Sequence, residues 1–461
     1  MLKKHPRALV YIFFTEMWER VGFYTLMAIL VLYMDKVLGW PDSKKGDWYG
    51  LFLALCYFFP LVGGYLGDRL FGRMKTIRTG AILMAIGYVG LALSSADQVT
   101  SFLLGLVLIA IGTGIFKVNM AVMVGNIYKN QPELKDAGFN IYYMGVNLGA
   151  MIAPIIATVN SAVFHSYHLS FWVAAGGLIV ALIIFQAGKS LLAPVDDSDL
   201  RLAGKFEAEK GQQNNKETAS KEDAQEKKAS GRDANPGPKD YSSVLSQRRE
   251  QDFSDRILTL CLLFTIVILF WVAFYQNGFA LTLFAARSTV IKSWLRPETY
   301  QFFEPFFILA LTPLLLSIFS KLSQQGREPS TPKKIFYGMN FMILAMLIMV
   351  LACLQGGNKD LNIMSPLWLI STYFVVTIAE ILISPMGQSY VSKVAPEKIR
   401  GLMMGGWFVA TALGSYGSGL LGKLYSRFPH HQYFLLLAVL LAAAAVLALL
   451  SMKKLEKYGQ E

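Results

Sequence analysis

Cysteine is almost missing, with three in 461 residues. Cys56, Cys261 and Cys353 show no CxxC or His-paired spacing, which excludes a disulfide framework and a cysteine metal site. Each falls in an apolar run, as a small core residue would. Histidine is nearly as scarce, with five. His165 and His168 in "FHSYHLS" have one-turn spacing but fall in a loop outside the apolar runs, where a solvated face is the expected role rather than a metal site. No paired nucleophile and base and no phosphate loop occurs, so neither an enzyme nor a cofactor is expected. Charge is the third shortage. Asp, Glu, Lys and Arg make up 16% of the chain against 54% apolar residues, a balance that excludes a string of soluble domains and points to a polytopic membrane protein. The net charge of +12 would suit nucleic acid, but Lys and Arg stand in short clusters between apolar runs. The expected partner is therefore the lipid bilayer and not nucleic acid.

Apolar sequence of spanning length is what the chain has in abundance. A hydrocarbon core of ~30 Å takes about 20 mostly apolar residues per helix. Runs near 8–34, 48–68, 76–95, 100–127, 138–163 and 169–190 meet that need. A second set follows near 256–286, 301–320, 333–355, 364–391, 402–424 and 432–452. The chain reads as an all-α membrane protein with 12 transmembrane helices in two six-helix bundles, residues 1–193 and 253–461. Between them, residues 194–252 turn to Lys, Glu, Gln, Asn, Ser and Gly, as in "EKGQQNNKETASKEDAQEKKASGRDANPGPKD". Such a segment cannot bury enough apolar surface to order itself and reads as a flexible cytoplasmic linker. Basic residues cluster on alternate loops, among them Lys3, Lys4 and Arg7, then Arg69, Arg73, Lys75 and Arg78, and the tail Lys453, Lys454 and Lys457. That asymmetry predicts a cell-membrane protein with both termini and the linker on the cytoplasmic side. The first run does not read as a cleavable signal, because Glu16, Glu19 and Arg20 interrupt it. Two halves of equal span number suit a central site near mid-depth.

Ionisable residues inside the runs are few: Glu16, Glu19, Arg20, Lys117, Glu304 and Glu380. Each costs ~2.5 to 3.5 kcal/mol on insertion scales, so such a group normally faces the bundle interior and marks a pathway. Glu16 and Arg20 are one turn apart, and Glu19 is rotated by about 60° from Glu16, so the three share an arc. Phe23, Tyr24 and Met27 continue that face, and the whole stripe is expected to line a cavity. Glu19 then lacks a partner within its own helix, and Lys117, too deep to snorkel easily, is the expected countercharge for the carboxylates. Glu380 lies mid-helix beside Pro385 and Gly387, where a bend would let a substrate contact move. Glu304 reads equally as a pocket residue and as an N-terminal helix charge. Four carboxylates against two cations leave negative charge for a proton to neutralise, a physical reason to expect protons as the coupling ion.

Several motifs now stand in order. "EMWERVGFY" resembles the ExxER signature of the proton-dependent oligopeptide transporters, the POT family of the major facilitator superfamily. "GFNIYYMGVNLGAMIAP" is similar to its FYxxINxG signature, and "GGYLGDRLFGRMKTI" to the superfamily's loop between helices two and three. "GTGIFKVN", "FYQNGFALTLFA" and "IAEILISPMG" resemble helices four, seven and ten. The resemblance covers nearly the whole chain except the linker and implies the major facilitator fold. It also implies that Glu16, Glu19, Arg20 and Lys117 form a proton-responsive network and that Glu380 takes a peptide's amino terminus. Tyr24, Tyr57, Asn147, Trp271, Gln276 and Trp407 would line the pocket, with Glu304 beside them. Asp68, Arg69 and Arg73 would tie the halves together on the cytoplasmic side in one state. Five positions depart from the pattern. Met27 stands where a second arginine is frequent, Phe23 where a tyrosine is usual, Phe274 and Tyr275 where many bacterial members carry a carboxylate, and Glu304 where an asparagine usually precedes Pro305.

The favoured expectation is a monomeric proton-coupled symporter that imports di- and tripeptides or related molecules by alternating access. Met27 and Glu304 keep a second cargo open, a non-peptide amine-bearing metabolite or drug. A membrane sensor or scaffold acting through the linker is the alternative from another class, and a scaffold has little use for excess buried carboxylates.

Overall fold

The computed structural model describes residues 5–196 and 239–459, with the side chains of 239–252 and of Lys398 left aside. Among these residues the secondary structure is helical without a β-strand. Six long helices come first: α1 (Ala8–Lys36), α2 (Asp42–Arg69), α3 (Arg73–Ala92), α4 (Val99–Ile127), α5 (Lys135–Ala162) and α6 (Tyr167–Ala187). The seventh is broken into α7 (Lys239–Phe274) and α8 (Ala280–Arg287). Five more follow: α9 (Phe303–Gln324), α10 (Thr331–Ala352), α11 (Pro366–Val394), α12 (Arg400–Gly422) and α13 (His430–Leu450). A short α14 (Met452–Gly459) closes the chain.

Ten of the helical segments among the described residues are long and apolar enough to cross a membrane. The two other long helices, α3 and α12, are less apolar. Arg73, Lys75 and Arg78 open α3, while Gly401, Gly405, Gly406, Gly414, Gly417, Gly419 and Gly422 dilute α12. Helix α1 is apolar around most of its circumference and is buried along most of its length against α5 and α6, the placement such a helix requires. Its tight neighbour is Gly149 of α5. A Cβ there would lie 2.5 Å from the Met17 carbonyl oxygen and 2.8 Å from Arg20 Cβ, so only glycine lets α5 cross at this level.

The chain departs from the expected element bounds in four places. Helix seven begins at Lys239, inside the 194–252 segment read as a linker, whose residues 197–238 lie outside the described residues. The start of that segment folds back on the first helices: Asp196 accepts from the Arg73 and Met74 amides at 3.4 and 3.0 Å, capping the N-terminus of α3. The break after Phe274 follows from Asn277-Gly278, a turn-forming pair. Tyr49 Oη donates to the freed Tyr275 carbonyl at 2.7 Å. His168, expected in a solvated loop, instead opens α6, with its Nε2 3.0 Å from Tyr33 Oη and 2.9 Å from the Ser94 carbonyl. Cys56 and Cys353 are buried, but Cys261 is exposed, so the core role holds for two of the three.

The two sets of helices meet at the end that carries the α1–α2 connection. There Arg287 donates to both oxygens of Asp42, at 3.1 and 3.0 Å, and to Asp35 at 2.8 Å. Lys45 pairs with Asp35 and Asp42, Ser426 donates to Asp42, and Lys423 pairs with Asp47. Thr158 and Thr299 hydroxyls stand 2.7 Å apart, and Ser161 donates to Glu298. At mid-depth the Tyr49–Tyr275 bond also joins the two sets. The seal closes on glycine, because a Cβ on Gly419 would lie 2.5 Å from Gly50 Cα. Gly419→Leu is expected to hold this end apart and to reduce transport strongly. Solute uptake by liposomes holding monodisperse variant protein checks it, and uptake at the parent's rate would show that the seal is not needed.

Candidate functional site

Below the seal lies a cavity of about 290 Å³ walled by both sets of helices, near the lower end of the ~300–1,000 Å³ common for small-molecule sites. From the first set, Phe23, Tyr24 and Met27 of α1, Tyr57 of α2, Lys117 of α4 and Asn147 of α5 reach it. From the second set come Trp271, Asn277, Glu304, Glu380 and Trp407. Of the residues the sequence assigned to the pocket, only Gln276 is elsewhere. It is fully buried, donates to the Ser418 carbonyl at 2.9 Å and accepts from Tyr433 Oη at 2.7 Å. The 3₁₀ turn at Tyr275–Asn277 rotates the chain differently from an α-helix, which presents Asn277 to the cavity in place of its neighbour.

Opposite signs occupy opposite walls. Lys117 is the only cation on the wall and stands 5.9 Å from the centre of the Tyr57 ring. It forms no ion pair with a described residue, so the expected pairing with the first-helix carboxylates is not made in this arrangement. Arg20 has taken both of them. Its Nε lies 3.1 Å from Glu16 Oε1 and also contacts Glu19. Glu19 thus does have a partner within its helix, although adjacent residues do not ordinarily face each other. Glu16 and Glu19 are 0% exposed and Arg20 2%. The triad sits behind the wall, and the stripe faces the cavity only from Phe23 onward. The Arg20 guanidinium lies 5.3 Å from the centre of the Phe23 ring, so a change in the triad would be felt at the wall through that ring.

On the other wall, Glu304 accepts from Asn277 Nδ2. The Asn277 carbonyl accepts from Gln301 Nε2 at 2.8 Å and from Tyr373 Oη at 3.2 Å, which fixes that residue and, through it, Glu304. Glu304 lies in the first turn of α9, so both roles read from the sequence apply. Glu380 is half-buried, and its Oε2 has no hydrogen-bond partner. Pro385 and Gly387 lie within the continuous α11, with Gly387 against the Trp407 ring. Asn277, Gln301, Tyr142 and Tyr143 also line the cavity and were not singled out in the sequence; the Asn-Gly pair was the signal available for the first. Of the gate motif, Asp68 pairs with Arg73 inside the first set of helices, and Arg69 lies 5.6 Å from the centre of the Tyr65 ring.

Helices in two sets over a charged mid-depth cavity, sealed at one end by a separable ion-pair cluster, define a multi-pass membrane transporter of the major facilitator fold, not an enzyme. The chain belongs to the POT family, whose sequence model matches residues 74–436. It is 30% identical to the dipeptide and tripeptide permease A of Escherichia coli (strain K12), across 99% of this chain and 94% of the permease. It is 29% identical to the peptide transporter YePEPT of Yersinia enterocolitica, across 91% and 88%. The crystal structure of a peptide transporter POT in complex with sulfate matches with a TM-score of 0.81 at 26% identity, covering 99% of this chain and 96% of that one. A mutant of a peptide transporter POT in complex with alafosfalin matches with a TM-score of 0.80 at 27% identity, with the same coverage.

Proposed function

We propose that this chain is a proton-coupled symporter that imports di- and tripeptides across the cell membrane. The observation that carries the reading is the split cavity, with Lys117 on the first wall and Glu304 and Glu380 on the second. A molecule with an ammonium at one end and a carboxylate or amide carbonyl at the other complements it and draws the walls together. The peptide relatives at 29 to 30% identity support the same cargo.

The proton acts at the triad. With Glu16 and Glu19 both ionised, Arg20 is held by two carboxylates. A proton on either relaxes that hold, and Lys117 with Arg20 is then free to attract the substrate's anionic end while Glu380 receives its ammonium. Loss of the proton on the other side restores the double pair and expels the cargo. The basic loops support both termini inside, and in that orientation the sealed end faces outward. One chain lines the cavity on both sides, which supports the monomer as the transport unit.

Liposomes holding the protein are expected to accumulate a dipeptide when an inward proton gradient is imposed and not without it. Absence of uptake of any peptide by folded protein would remove the assignment. Met27 on the cavity wall, where an arginine would hold a carboxylate, favours one further reading, a non-peptide amine as cargo. Thermal stabilisation by such amines and by no dipeptide would decide for it.

A further inference from the structure

The cavity holds more negative charge than one peptide terminus uses. Among the described residues its wall carries Lys117 as the single cation and Glu304 and Glu380 as the two anions. Arg20 does not reach the wall and is committed to Glu16 and Glu19. Neither wall carboxylate is in an ion pair with a described residue, although both are half-buried at mid-depth, where an uncompensated carboxylate is costly. If Glu380 takes the peptide's terminal ammonium, Glu304 remains for something else.

Glu304 is also built as a receptor and not left as a loose charge. Asn277 Nδ2 holds one of its oxygens. Asn277 is itself anchored through its carbonyl by Gln301, Tyr373 and Thr282, at 2.8, 3.2 and 3.0 Å. Those donors occupy the Asn277 carbonyl, so the second carboxylate oxygen is the acceptor left for a guest. Pro305 and Ile308, on the same helix, line the cavity beside it, apolar surface suited to a methylene stem. Trp271, Phe274 and Tyr275 line the same cavity, and aromatic rings favour an ammonium over an anion.

We infer that Glu304, held by Asn277, is a second ammonium subsite and that this transporter prefers dipeptides with two cationic groups, a terminal ammonium and a lysine side chain. The inference rests on the peptide reading above. Glu380 and Glu304 then neutralise the two ammonium groups, and Lys117 meets the terminal carboxylate, so the filled cavity is charge-balanced. An acidic side chain at the same place would face Glu304 and be rejected.

Uptake of Ala-Lys, Ala-Ala and Ala-Glu into proteoliposomes under one proton gradient tests this. Ala-Lys is expected to show a KM lower than that of Ala-Ala by about tenfold or more, the worth of one charge-assisted hydrogen bond, with Ala-Glu the poorest. Glu304→Gln is expected to collapse the Ala-Lys to Ala-Ala ratio towards one. Glu304→Asn, with thermal stabilisation by the same peptides as a binding readout, serves if the first variant folds poorly. Transport of Ala-Ala without preference for Ala-Lys, or a preference that neither variant moves, overturns the inference and leaves the peptide assignment standing. Failure of all three peptides to be carried by folded protein overturns both.

Discussion

Arg20→Met is expected to lose more stability than any other substitution in the site, about 3–5 kcal/mol, the range for removing one partner from a buried ion pair. Among the described residues Arg20 is the only cation paired with Glu16 and Glu19, and all three side chains are at least 98% buried. Two carboxylates left alone at that depth either bind protons or draw water into packed helix. Gly149 presses α5 onto Arg20 Cβ, so little room for water exists. Melting in detergent gives the readout, and adding Glu16→Gln and Glu19→Gln to Arg20→Met is expected to recover most of the loss. A single variant that melts with the parent would show that the carboxylates are compensated elsewhere.

Glu19→Gln is expected to reduce gradient-driven uptake to background while exchange of labelled for unlabelled substrate continues. Glutamine keeps the shape and can still hydrogen-bond Arg20, but it neither binds nor releases a proton. The cavity wall is untouched, because Glu19 lies behind Phe23 and not on it. A chain able to bind and reorient but blind to the gradient is the predicted phenotype, since coupling needs a titrating group whose state favours one conformation. Parallel measurements of driven uptake and exchange on one preparation separate the two functions. Gradient-driven uptake equal to the parent's would refute the proton role, and loss of both activities would assign Glu19 to architecture.

The helices were legible because the bilayer forces each spanning segment to declare itself in composition. The i,i+4 spacing of Glu16 and Arg20 announced their pair, whereas the Glu19 contact with Arg20 depends on rotamers that spacing does not fix. Gln276 was assigned to the pocket by the family resemblance, and in this chain the 3₁₀ turn changes the phase of helix seven at that point. The seal was invisible for another reason. Asp35, Asp42, Lys45 and Arg287 lie at or beyond the ends of the apolar runs, and Arg287 stands 245 residues from Asp42 in sequence. Only the extension of α2 back to Asp42 and the docking of the two sets bring them together. Local pattern gave the elements and the charges within one helix, while contacts between distant segments had to come from the fold.

The one-ended seal also determines how flux is metered. A continuous pore would pass solute at a rate set by concentration alone. Here Asp42 is clasped by Lys45, Arg287 and Ser426 from three segments of the chain, and the space beneath it holds about 290 Å³. In the proposed cycle each opening of that clasp admits a single load, because the cavity has room for one small peptide. The molecule therefore doses its cargo one load per opening, and uptake saturates however abundant the cargo becomes.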